Sequence, residues 1–287
     1  MPSADKMAAR HAMGYNGAMD FIDNALIANL GALFALIPAA LAAFRAEPAR
    51  DAAFWWLSAV ALAGPLAWSV MHVSGAWPTG LSAALWITIT VCMALYLVLS
   101  RWVESVWRLA PLLLPYLCLV GVVATIWGQA PGRALPMAEL PAWIEAHIAL
   151  SVLTYALLTL AAVAGTAALL RERALKTKQP TRLTAQLPAI ADAERLQVRL
   201  LIVTQIVLGL GLVSGIAVQV YETGGMLVFN HKILLSIGAF VVIGGLLITH
   251  FRTGVRGRRI SRMVLLAYLL VTLGYPGVKF VSDVLLA

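Results

Sequence analysis

Eight apolar runs, separated by short stretches of charge, proline or glycine, constrain this chain more than any other feature. They cover residues 24–44, 54–74, 81–100, 109–128, 147–170, 200–221, 233–250 and 263–286. A helix needs roughly 17–25 predominantly apolar residues to cross the hydrocarbon core of a bilayer, and every run falls near that length. Strands of a membrane barrel alternate polar and apolar over about ten residues; these runs are longer and unbroken, so strands are excluded. Only 12% of the residues are charged, about half the usual share of a soluble domain. Lipid must therefore be the solvent for most of the surface. The expected fold is all-α: a polytopic membrane protein with eight transmembrane helices over residues 24–287. Asp20 and Asp23 immediately precede the first run, which argues for an uncleaved first helix over a signal peptide. Residues 1–23 read as a mobile N-terminal extension.

The net charge of +8 is unevenly spread. Sixteen of the 21 basic residues fall in the connections after the first, third, fifth and seventh runs. Positive residues collect on the cytoplasmic side of a membrane, so both termini should be periplasmic, in a multi-pass protein of the bacterial inner (plasma) membrane. The basic excess is thus a topology signal, and no nucleic-acid partner is expected. Residues 171–199 form the one sizeable cytoplasmic loop, and its "AIADAERLQVRL" has the pattern of an amphipathic helix lying on the bilayer surface. "GVRGRR" (254–259) reads as an inner-face anchor, and "GLGLVSG" (209–215) as small residues for close helix packing.

With this topology, His72, His147 and His231 lie near the outer face on three different helices. Polar groups in a bilayer are costly and usually face a bundle interior, and imidazole is a common metal ligand. Two imidazoles on facing helices would grip the iron of a haem from both sides. Lys232, Arg133 or Lys279 would then meet its propionates. The competing reading is a set of interfacial histidines bonded to water or backbone. Glu145, two residues before His147, reads either as a carboxylate orienting that ring or as an exposed acid. Cys92 and Cys118 sit alone in mid-run, as packing residues do. No nucleotide-binding loop, HExxH pair or nucleophilic triad is present.

The segments "HIALSVLTYALLTLAAVAGTAALLRERAL" (147–175), "LPAIADAERLQVRLL" (187–201), "HKILLS" (231–236), "GVRGRR" and "GYPGVKFVSDVLL" (274–286) occur in a characteristic order. In that order they resemble the CcsA-type cytochrome c assembly family, especially its short YpjD/HemX-like inner-membrane branch. The resemblance implies eight helices and haem handling at the outer face. It makes His147 and His231 candidate axial ligands, with His72 as the third candidate. Longer members carry a tryptophan-rich haem-presenting segment before the helix matching the seventh run. Here that stretch is "VYETGGMLVFNHK" (220–232), without tryptophan, so haem lyase activity is not expected. The resulting expectation is a haem-binding accessory of cytochrome c biogenesis, holding b-type haem non-covalently. Its partners would be the lipid bilayer, haem and cytochrome c maturation components. The alternatives are a transporter for haem or another amphipath, and a regulatory scaffold acting through the basic 171–199 loop.

Overall fold

The computed structural model describes residues 25–45, 47–74, 76–78, 80–128, 134–136, 141–223, 231–254 and 258–281. The side chains of 76–78, 134–136, 222–223, 231–232, 258–259 and 279 lie outside that description, as does the expected extension 1–23. The described residues are almost wholly helical, in the order α1 (Ala25–Ala42), α2 (Ala52–Val73), α3 (Leu81–Trp102), α4 (Glu104–Trp107), α5 (Ala110–Ile126), α6 (Ala142–Thr177), α7 (Arg182–Gln186), α8 (Ile190–Thr223), α9 (His231–Thr253) and α10 (Arg258–Thr272). A π-helical turn, Leu273–Gly277, and a last short helix α11 (Val278–Phe280) complete the order. Two three-residue strands, β1 (Ala76–Pro78) and β2 (Ala134–Pro136), pair antiparallel and tie the α2–α3 connection to the α5–α6 connection.

Among the described residues, seven helices are long and apolar enough to cross a membrane. The chain is thus a multi-pass helical membrane protein. The fourth apolar run forms α5, only 17 residues long and about 26 Å in rise. It begins beside the α4 turn, where Arg108 and Pro111 border a hollow with Arg45 and Gln186.

The basic connections gather at one end. Gln186 donates to the Arg45 carbonyl at 2.6 Å, Arg182 to the Phe44 carbonyl at 3.1 Å, and Arg50 to the Ser100 carbonyl at 3.0 Å. Asp51 starts α2 by accepting from the Phe54 amide at 2.8 Å, which satisfies one of the helix's orphan N–H donors.

α3 and α6 are the inner helices, with about 70% of their apolar windows buried, against 17–33% for the other membrane-length helices. Trp86, Ile89, Cys92, Met93 and Tyr96 of α3 are fully buried. Around them the outer helices expose Phe34, Trp56, Leu119, Val213 and Phe251, as expected where lipid is the solvent. Helix association in a bilayer rests on close packing rather than on hydrophobic burial, and the glycines are placed accordingly. A Cβ on Gly64 would come within 2.4 Å of the Ala35 Cβ, so α1 and α2 approach almost backbone to backbone. A Cβ on Gly165 would lie 2.4 Å from Gln197 Nε2, so α6 leaves room for a buried glutamine of α8.

The cytoplasmic loop expected at 171–199 is narrower than its boundaries. α6 runs 36 residues to Thr177, with Lys176 paired to Glu172 one turn back, and ends at Lys178 in the left-handed region (φ 54°). The expected surface helix is instead the first turns of α8, a continuous helix of 34 residues. Helices of about 50 Å exceed the roughly 30 Å hydrocarbon core, so α6 and α8 project together beyond the membrane at the basic end. Nothing in "RERALKT" stops a helix: it lacks glycine and proline, and Arg, Glu, Ala, Leu and Lys all favour helix.

Candidate functional site

His147 lies in the second turn of α6, and its side chain meets α8. Its Nδ1 is 2.9 Å from Ser214 Oγ. The same Ser214 hydroxyl donates to the Gly211 carbonyl at 3.0 Å, so its oxygen is left to accept. With the Ser214 proton on that carbonyl, the matching tautomer has Nδ1 donating to Ser214 and Nε2 keeping its lone pair. This is how a histidine is prepared as a ligand, because the partner of one ring nitrogen sets the state of the other. Gly215 makes the arrangement possible: a Cβ there would lie 2.9 Å from His147 Cε1 and 3.7 Å from Nε2. Ser151 donates back to the His147 carbonyl at 2.8 Å, within its own helix. Glu145 is exposed, so the carboxylate orienter considered from sequence is replaced by a hydroxyl.

The ring borders a cavity of about 640 Å3 between α6, α8, α9 and α10, a volume in the range of small-molecule and cofactor sites. Leu208, Leu212, Ile216, Ile233, Ile237 and Val271 give it apolar walls, and His147, Ser151, Gln219, Ser236, Tyr155 and Tyr275 supply convergent polar groups. His147, Ser151 and Tyr155 are spaced by four, so they fall on one face of α6.

At the inner end of that face, Tyr155 Oη is 3.2 Å from Tyr268 Oη and 3.3 Å from Thr272 Oγ1. Tyr268 is in turn hydrogen-bonded to Tyr116 of α5. Three helices, α5, α6 and α10, thus share one hydroxyl cluster under the cavity. Tyr275 reaches the cavity wall from the π turn, where Pro276 supplies no N–H to the helical ladder and forces a wider turn.

The other expected ligands are distributed unevenly. α9 begins at His231, two residues before the cavity residue Ile233; the side chains of His231 and Lys232 lie outside the described residues, as do Arg133 and the side chain of Lys279. His72 is on α2, and it does not line the cavity. Its ring stacks on Trp68 with centroids 3.9 Å apart, and its Nδ1 lies 2.9 Å from the Trp68 carbonyl. Cys92 and Cys118 are free thiols within the bundle.

The site is therefore an imidazole at the edge of a largely apolar cavity within a membrane-type helical bundle. The sequence matches the cytochrome c assembly protein family over residues 53–286, and the chain belongs to that family. Membership gives it a role in cytochrome c biogenesis and associates it with haem handling. It is also 53% identical over 266 residues to an uncharacterized 28.8 kDa protein in the nifR3-like 5′ region of Azospirillum brasilense, a match covering 91% of this chain and 98% of that one. No solved structure matches.

Proposed function

We propose that the protein binds haem non-covalently in the α6–α8–α9–α10 cavity and serves cytochrome c biogenesis as a haem-holding accessory at the periplasmic face of the bacterial inner membrane. His147 and His231 are the axial ligands and Lys232 is the candidate partner of a propionate; His72, the third candidate, stacks on Trp68 outside this cavity and would serve only a second position. The observation that carries this reading is the Ser214–His147 hydrogen bond of 2.9 Å, with the Ser214 proton committed to Gly211, which leaves Nε2 free to coordinate. Haem fits the chemistry of the walls: six aliphatic side chains for its flat body and an imidazole for its iron. His231 opens α9 beside the cavity residue Ile233, in support of its role as partner ligand.

The topology belongs to the same reading. α5 is the eighth crossing, and both termini are periplasmic. Gathering of the connections after the first, third and fifth runs at one basic end supports this. Holding is favoured over transport because the cavity ends at Tyr155, Leu208 and Val271, above the tyrosine cluster. The test is the absorbance of detergent-purified protein, oxidised and reduced. A six-coordinate b-type spectrum is expected, with the Soret band lost or shifted to a five-coordinate form in His147→Ala and in His231→Ala. A wild-type spectrum in both variants refutes the ligand pair.

A further inference from the structure

Away from the histidine cavity, at the basic end, a second hollow of about 450 Å3 lies between α4, α6 and the head of α8. Arg108, Arg171, Arg195 and Arg199 line it together with Glu104 and Asp192, four guanidinium groups against two carboxylates. They come from separate parts of the chain: Arg108 caps α4, Arg171 lies on α6, and Arg195 and Arg199 are one turn apart on α8.

Topology alone would be served by arginines splayed toward water or headgroups. Here they converge, and the two carboxylates of the hollow leave half of their charge uncompensated. Among the described residues the ion pairs are Arg45–Asp51 and Lys176–Glu172, so none of the four guanidinium groups has a carboxylate within 4.0 Å. Arg171 donates to the Leu187 carbonyl, and Arg108 sits 5.2 Å from the Trp107 ring centroid; neither contact neutralises charge. Like charges one turn apart on a helix repel, so Arg195 and Arg199 each raise the cost of the other.

The hollow also takes in Pro188 and Ala189, just before the first turn of the 34-residue α8. The positive end of that helix dipole, with its unpaired N–H groups, therefore faces the same space. Guanidinium forks and a helix N-terminus share one preferred ligand, a phosphate group. The polar lining sets this hollow apart from the aliphatic cavity and suits a compact anion rather than the flat body of a porphyrin.

We propose that the Arg108–Arg171–Arg195–Arg199 hollow is a binding site for a phosphate group, carried either by an anionic phospholipid headgroup or by a soluble phosphate. The site is independent of the haem reading and stands if that reading fails. Arg108, Arg195 and Arg199 are exposed and Arg171 is half-buried, so the ligand enters from the basic face without opening the bundle.

The test is thermal unfolding of the full chain with two probes. One is inorganic pyrophosphate added to protein in neutral detergent; the other is transfer into nanodiscs of phosphatidylglycerol instead of phosphatidylcholine. Binding to the native state raises Tm by mass action, here by about 3 °C or more at saturation. The increment is expected to vanish in Arg195→Gln/Arg199→Gln and to persist in Arg182→Gln, which removes a basic residue at the same end outside the hollow. A rise with pyrophosphate assigns a soluble phosphate, and a rise with phosphatidylglycerol alone assigns the headgroup. No rise with either probe, or equal rises in both variants, overturns the proposal. Should the double variant fold poorly, Arg199→Gln alone changes one exposed side chain and is read the same way. The haem spectrum should be unchanged throughout.

Discussion

Replacing Gly215 by alanine should separate ligand preparation from fold stability, because the two respond in opposite directions. A Cβ at position 215 would sit 2.9 Å from His147 Cε1, whereas carbon atoms prefer a separation of about 3.5–4.0 Å. The imidazole must then retreat by about 0.6–1 Å. That movement draws Nδ1 away from Ser214 Oγ, now 2.9 Å distant, toward or past the roughly 3.2 Å limit of a useful hydrogen bond. Losing the partner that fixes ring tautomer and direction lowers metal affinity by about 10–100-fold. The helix itself gains, since alanine is favoured over glycine in a helix interior by about 1 kcal/mol, and His147 is half-buried with room to yield. Haem affinity from Soret titration should therefore fall by about 10–100-fold, while Tm of the haem-free protein holds or rises. Unchanged affinity in a folded Gly215→Ala protein would refute the assignment of the His147–Ser214 pair as the prepared ligand.

Two further substitutions probe the supports of the site. Tyr155→Phe removes a hydroxyl that meets Tyr268 and Thr272 at 3.2 and 3.3 Å. A loss of about 1–3 kcal/mol is expected from the partners left unsatisfied, seen as a lower Tm with the haem spectrum intact. Gly165→Val places a side chain where Gln197 Nε2 would lie 2.4 Å from its Cβ. It should destabilise by about 1–3 kcal/mol through overpacking, measured by denaturant titration, and Gln197→Ala in the same chain should recover part of the loss.

The position of helices along the chain was readable in the sequence, and direction around a helix axis was not. Bilayer thickness fixes how long an apolar run must be, so the membrane-length helices follow from hydropathy alone. Hydropathy says nothing about azimuth. His72 stacks on Trp68 of its own helix while His147 faces α8, and no local spacing distinguishes them. Ser214 and Gly215 sit inside "GLGLVSG", which reads as packing; Gly209 does pack, against Phe240, but its neighbours shape the imidazole pocket. The Tyr116–Tyr155–Tyr268 cluster joins residues 113 and 152 positions apart and leaves no mark on any one segment. Its single trace is Tyr155, two turns below His147 on the same face. Helix ends were misplaced where charge begins, because a helix stops for want of helix-forming residues and not for want of lipid.

α6 and α8 are neighbours along most of their length, and each contributes to both hollows: His147 and Arg171 on one, Gly215 and Arg195 on the other. The crossing angle between these two rods therefore bears on both apertures. Membranes of different thickness impose different tilts on helices this long, which makes the calibre of each opening a property of the surrounding lipid as well as of the chain.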